Sequence, residues 1–268
     1  MHAVLLAAGF GTRLRPLSDV LPKCLAPIRG RPLLEYWLRS LFEGGIERVL
    51  VNTHHRASLV ETFVKDSRWS DRVVVVHETA LLGTGGTLLA NASFVGHAPI
   101  FVAHADNLTD FDLRAFLAAH ATRPAGTDLT MMTFTTSSPS SCGVVTTDAN
   151  GVVNGFFEKV TNPPGNRANA AVYVFEPEVV DFMREIGRPF VDISLDVLPR
   201  YIGRIATWHN NSYHRDIGTM DSWLAAQTDF PCVTLQGRRE PDPWQRVLDC
   251  LSVQERKTIT GLLAPRIG

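Results

Sequence analysis

Apolar side chains fall into two kinds of run along this chain. Residues 4–7, 48–52, 73–76, 100–104 and 129–134 are short apolar stretches that read as strands. The β-branched run at 73–76 reads as a parallel strand buried on both faces. Between these stretches the period lengthens. In 32–42, Leu33 and Leu34, Trp37 and Leu38, then Leu41 and Phe42 recur every four residues and give a helix one broad apolar face. Pro32 fits the first turn of that helix, and Gly44-Gly45 stops it. Residues 57–65 and 87–93 predict further helices, and Asp112 predicts the cap of another that runs to about 120. The β-α-β-α order predicts an α/β fold of Rossmann-like kind, a mostly parallel mixed sheet flanked by helices.

Beyond residue 134 the texture changes. Two strands, 143–147 and 152–157, are joined by Asp148-Ala149-Asn150-Gly151, whose Asn-Gly pair is a strong hairpin signal. Strands at 169–175 and 205–209, a short strand near 213–215, and helices at 178–186, 193–201 and 219–226 follow. This predicts a β-rich part around or beside the parallel sheet. Residues 230–268 form a tail punctuated by Pro231, Pro241 and Pro243, with short helices at 244–251 and 253–263 and no expected catalytic role. The expected organisation is a catalytic domain over 1–229 and a tail over 230–268.

Composition acts by exclusion. The 268 residues are 45% hydrophobic and 20% charged, enough apolar side chain to build a core. A net charge of −1, from 26 basic and 27 acidic residues, argues against a general nucleic-acid binder. No apolar run approaches the roughly 18 residues that cross a bilayer, so no membrane partner is expected. The first apolar run has no charged segment before it, breaks at Gly9, and reads as a strand rather than a signal peptide. Cys24, Cys142, Cys232 and Cys250 form no CxxC pair, and a reduced, cytoplasmic setting is the expectation.

Candidate chemistry concentrates where the first strand ends, in Leu6-Ala7-Ala8-Gly9-Phe10-Gly11-Thr12-Arg13-Leu14-Arg15-Pro16. Glycines let backbone N–H groups approach an anion, and arginines add charge to phosphate oxygens. A dinucleotide fingerprint would need glycine at Leu14, and a Walker A loop would need Gly-Lys five residues after the first glycine. Neither is present, which argues against a nicotinamide-dependent oxidoreductase. With Lys23 nearby, the loop implies a triphosphate held by side chains as well as backbone. The plainer alternative is a tight strand-exit turn with solvated arginines.

The run from Leu6 to Arg13, continued by Pro22-Lys23, resembles the signature of the sugar-1-phosphate nucleotidyltransferases, in particular the mannose- and heptose-1-phosphate guanylyltransferases and related uridylyltransferases. Further segments resemble that family in order: Leu82-Gly83-Thr84-Gly85-Gly86, Ala103 to Asn107, Cys142-Gly143-Val144-Val145, Phe157-Glu158-Lys159, Asn169 to Phe175, and Asp216-Ile217-Gly218-Thr219. Together they span roughly 1–229. The resemblance implies a Mg²⁺-dependent enzyme that makes a nucleotide sugar and pyrophosphate from a nucleoside triphosphate and a sugar 1-phosphate. It implies Arg13 and Lys23 as catalytic residues, with Ala7, Ala8, Gly9, Gly11, Thr12, Gly83 and Thr84 around the nucleotide. It implies Gly143, Glu158, Lys159 and Asn169 around the sugar phosphate, and Asp106 and Asp216 as metal ligands. Ala105, Ala171 and Cys24 depart from the usual residues, each small for small. The family's fused left-handed β-helix is not expected here, and oligomeric state, including a homo-oligomer, stays open.

The residues themselves leave alternatives. Asp216 also suits a turn or helix cap, and Glu158-Lys159 also suits an exposed ion pair at a strand end. An extended adjacent pair points to opposite sides, so only a local bend would turn both toward one substrate. The histidines lack compact ligand spacing, and Trp37, Phe42, Phe116 and Phe175 suit a core. Glu78, five residues before Gly83, could face a base edge. An ionised carboxylate only accepts, and guanine offers two adjacent donors, so GTP is favoured, with mannose or heptose 1-phosphate as partner. The alternative for Glu78 is a loop cap. For the chain, the alternatives are uridylyl or thymidylyl transfer to another hexose 1-phosphate, or a nucleotide-sugar sensor without catalysis.

Overall fold

In the computed structural model, residues 1–231 and 242–264 are described; residues 232–241, with Cys232 and Pro241, and residues 265–268 lie outside them. The chain opens with β1 (His2–Leu6), α1 (Leu17–Val20), the hairpin β2 (Pro27–Ile28) and β3 (Arg31–Pro32), then α2 (Leu33–Glu43). Next come β4 (Arg48–Thr53), α3 (Ala57–Lys65), β5 (Val73–His77), α4 (Gly83–Ala90), α5 (Ala92–Val95) and β6 (Ile100–His104). β7 (Asn107–Asp110), α6 (Leu113–Ala121), β8 (Leu129–Thr135), β9 (Gly143–Thr147), β10 (Val153–Glu158) and β11 (Arg167–Phe175) follow. The chain continues through α7 (Pro177–Glu185), β12 (Ile205–His209), β13 (Tyr213–Asp216), α8 (Met220–Asp229), α9 (Pro243–Asp249) and α10 (Val253–Leu263).

β5, β4, β1 and β6 lie side by side and parallel. β11 then pairs antiparallel with β6 and carries β8 and β9 beyond it. β10 pairs with β9, and β12 runs parallel to β8. The β-rich half is therefore not a separate piece beside the parallel sheet. It continues the same sheet, nine strands among the described residues, because β11 hydrogen-bonds the free edge of β6.

Alternation along the central strands divides the core. Ala3, Leu5, Val49, Val51, Phe101, Ala103, Val172 and Val174 face one layer, with helices α2, α3, α6 and α8. Val4, Leu6, Leu50, Ile100, Val102, Tyr173 and Phe175 face the other, with α4, α5 and α7. Burial on both faces explains the unbroken apolar runs. Asp112 caps α6 by accepting from the Ala115 N–H, as its position predicts. Trp244, Val247, Leu251 and Ile259 carry the tail helices into the first layer. No helix among the described residues is long and apolar enough to cross a membrane.

Two predicted helices differ. The helix expected at 87–93 starts earlier, at Gly83, because the glycine N–H groups of its first turn find a carbonyl partner. The segment 193–201 is a π-helical turn, Ile193–Val197, followed by a 3₁₀ turn, Leu198–Arg200. Asp192 caps it by accepting from Leu195 N–H.

Candidate active site

β1, β4, β5 and β6 end on the same side of the sheet, and ligands of open α/β sheets bind beyond such carboxyl ends. The loop after β1 is shaped around Gly11, whose φ of 68° is left-handed. A Cβ there would lie 2.8 Å from Lys23 Cγ, so glycine lets the lysine stem pass against the loop. Ser18 Oγ donates to the Gly11 carbonyl at 2.7 Å. Arg13 follows in a short 3₁₀ turn, Thr12–Leu14, with most of its side chain exposed.

Lys23 Nζ donates to Asp106 Oδ2 at 2.9 Å in a largely covered position. Arg13 Nη2 lies 4.0 Å from Asp216 Oδ2. The carboxylates meet because β13 pairs antiparallel with β7, setting Asp216 opposite Asn107, while Ile217 N–H donates to the Asp106 carbonyl at 3.0 Å. Two cations and two anions thus share one neighbourhood. Burial would raise the Asp106 carboxyl, but Lys23 and His104 outweigh it and hold the group below its ordinary value. Asp216 is pushed up by burial and by the charge of Asp106, against Lys23 and Arg13. Two neighbouring carboxylates, one raising the other, suit a divalent cation, and Mg²⁺ is usually held by one or two carboxylates plus substrate phosphates. The flanking departures fit: Ala105 is fully buried with its N–H on the Leu6 carbonyl, and Cys24 is buried, its thiol pushed up to about 12 by burial and by Asp106.

Glu78 follows β5 and is buried. Its Oε1 accepts from Asn52 Nδ2 at 2.9 Å and from Thr87 Oγ1 at 2.6 Å. Asn52 Oδ1 in turn accepts from the Ala7 N–H at 2.7 Å. Asn52 therefore ties the loop after β1 to Glu78 and α4. In the sequence Asn52 reads only as the polar end of a strand. Gly83, at φ 76°, opens α4, and the N–H groups of Gly85 and Gly86 donate to the Val191 carbonyl at 2.8 and 3.2 Å. Those N–H groups serve packing against the 189–193 segment, while Thr84 Oγ1 accepts from the Ile193 N–H. The Val191 contact is a backbone contact, with no side-chain signature to find.

On the β-rich side, Gly143 faces Glu158 across β9 and β10, and a Cβ there would lie 2.5 Å from Glu158 Oε2. Lys159 adopts φ 50°, and its Nζ reaches Glu158 Oε1 at 3.1 Å. That is the bend that an adjacent pair needs to face one way. Asn169 Nδ2 donates to the Tyr173 hydroxyl, and Asn169 Oδ1 accepts from the Ala171 N–H. Ala171 is left-handed, at φ 52°, where the pairing of β11 with β8 shifts register. A cleft of about 1200 Å³ runs from Arg13 and Asp216 to Cys142 and Lys159, walled by the 134–138 and 209–213 segments.

The Nucleotidyl transferase family profile matches residues 2–231. The chain belongs to this family, the sugar-1-phosphate nucleotidyltransferases that its motifs resemble. It is 32% identical over 249 residues to the mannose-1-phosphate guanylyltransferase of Mycobacterium tuberculosis, covering 89% of this chain and 68% of that protein. It is 30% identical to the UTP–glucose-1-phosphate uridylyltransferase of Synechocystis, covering 94% of this chain and 64% of that one. For the mannose-1-phosphate guanylyltransferase catalytic subunit beta of Drosophila melanogaster, the match spans only 49% of the relative's length. A solved putative glucose-1-phosphate thymidylyltransferase from Bacillus anthracis superposes with a TM-score of 0.78 at 18% identity, covering 91% of this chain and 99% of that one. HddC from Yersinia pseudotuberculosis, complexed with GMP-PN, superposes at 0.70 and 22% identity, covering 86% and 99%. The structural likenesses establish the fold, and the central sheet is Rossmann-like.

Proposed function

We propose that this chain transfers a nucleotidyl group from a nucleoside triphosphate to a sugar 1-phosphate, with GTP and mannose or heptose 1-phosphate as substrates. The observation that carries this reading is the single cleft joining the Arg13–Asp216 end to Lys159. A sugar-phosphate oxygen attacks the α-phosphorus in line, one P–O bond forms, and the bond to pyrophosphate breaks. The attacking phosphate is ionised at neutral pH, so no general base is required and no covalent enzyme intermediate forms. Catalysis then rests on positioning and on charge already in place.

Arg13 and Lys23 hold the triphosphate, with the backbone of Ala7, Ala8, Gly9, Gly11 and Thr12 around it and Gly83 and Thr84 at the base. Lys159 holds the sugar phosphate, and Glu158 and Asn169 bind sugar hydroxyls beside Gly143. Asp106 and Asp216 would hold Mg²⁺, which neutralises charge on phosphate oxygens. Catalytic domain and tail divide at about residue 229.

Base choice rests on Glu78. Its Oε2 accepts no hydrogen bond from the described residues, while Oε1 already accepts two. Guanine's paired donors suit a carboxylate, and the mannose-1-phosphate guanylyltransferase relative supports GTP. The double occupancy of Oε1 favours, as a second reading, a base with one ring N–H, as in uridylyl or thymidylyl transfer. Side-by-side assays of GTP, UTP and dTTP separate the two. GTP should be preferred, and Glu78→Gln should reduce GTP use more than UTP use. A parent that prefers UTP or dTTP overturns the choice of base alone.

A further inference from the structure

The tail touches the nucleotide end of the fold through one continuous chain of contacts. Glu255, in the first turn of α10, pairs with Arg56 at 2.7 Å, both side chains being largely covered. Glu255 also closes a capping box with Ser252, which fixes its place at the head of the helix. Arg56 occupies the residue before α3 with a left-handed φ of 51°. For a non-glycine residue that conformation is unfavourable, so it persists only where neighbours hold it. His55, next in the chain, has its Nε2 2.8 Å from the Ser18 carbonyl. A carbonyl only accepts, so Nε2 carries the proton and donates. Ser18 is buried in α1, and its hydroxyl donates to the Gly11 carbonyl inside the triphosphate loop. α10 packs directly against α1 as well.

We propose that α10 positions the triphosphate loop through Glu255, Arg56, His55 and Ser18, so that the tail sets nucleotide affinity without touching substrate. This rests on the reading of the loop given above. These are positioning residues, and their loss should weaken triphosphate binding while leaving sugar-phosphate use alone.

The test uses the full chain and whichever of GTP, UTP or dTTP the parent binds best, titrated calorimetrically with Mg²⁺. Glu255→Arg and Arg56→Glu should each raise the triphosphate Kd by about fivefold, the upper end for a partly exposed ion pair. The double charge swap should return it to within about twofold of the parent, because it restores one opposite-charge pair. KM for the sugar 1-phosphate should not move. Ser18→Ala probes the other end of the chain and should weaken triphosphate binding with little change in Tm. A merely structural tail predicts a lower Tm and a smaller active fraction at unchanged Kd, and that result overturns the proposal. Failure of the double swap to recover the Kd also overturns it. A parent that binds no triphosphate removes the reading of the loop itself, and the brace with it.

Discussion

Lys23 and Asp106 lie 83 positions apart in the chain, yet Nζ of one sits 2.9 Å from Oδ2 of the other. The pair is set before any substrate arrives. Lys23 keeps Asp106 ionised against the effect of burial, and Asp106 keeps the lysine stem pressed along Gly11. Under the proposed function, a triphosphate entering the loop would meet a cation already oriented, which would lower the reorganisation needed in the transition state.

Arg13→Ala and Lys23→Ala should therefore each lower turnover by at least about a hundredfold, the usual consequence of removing a preorganised charged donor. Steady-state rates at saturating substrate check this, with circular dichroism to confirm the fold. Near-parental rates in both variants would remove the roles given to these side chains.

Asp106→Asn and Asp216→Asn should weaken Mg²⁺-dependent activity, and a chelator should abolish turnover of the parent. The charge of Asp106, which disfavours ionisation of Asp216 beside it, is the physical ground. Titrating Mg²⁺ back after chelation gives the apparent affinity, which should drop in both variants. Turnover indifferent to chelator contradicts the metal role.

Ala171 holds a left-handed backbone that alanine resists. The neighbouring hydrogen bond from its N–H to Asn169 Oδ1 holds the bulge in place. Ala171→Gly should stabilise the chain by about 1 kcal/mol, since glycine adopts this φ without the Cβ clash. Denaturant titration reads the change, and a stability loss would show that the bulge carries no such strain.

Much of the site was legible because its residues sit in short local motifs. Gly9 and Gly11 precede Arg13, a glycine run follows Glu78, and Asp106 and Asp216 end or follow strands. What brings the two aspartates together was not legible. β7 is a four-residue strand, Asn-Leu-Thr-Asp, with too little alternation to announce itself, and its partner β13 is equally short. Asn52 looked like an ordinary strand end, although it ties Ala7 to Glu78. Gly83 to Gly86 read as a turn before a helix, yet they form the helix's first turn because a distant carbonyl, Val191, receives the N–H groups of Gly85 and Gly86. The continuity of the sheet through β11 was hidden too, since pairing of β11 with β6 is a long-range choice that neither strand encodes alone.

The most direct measurement mixes the chain with Mg²⁺, GTP and mannose 1-phosphate, and identifies products by mass while following pyrophosphate. The account predicts a GDP-sugar and pyrophosphate in equal amounts, with neither formed when the sugar 1-phosphate is omitted. Failure to form any nucleotide sugar from a panel of triphosphates and sugar 1-phosphates, by a folded chain with Mg²⁺ present, would contradict it.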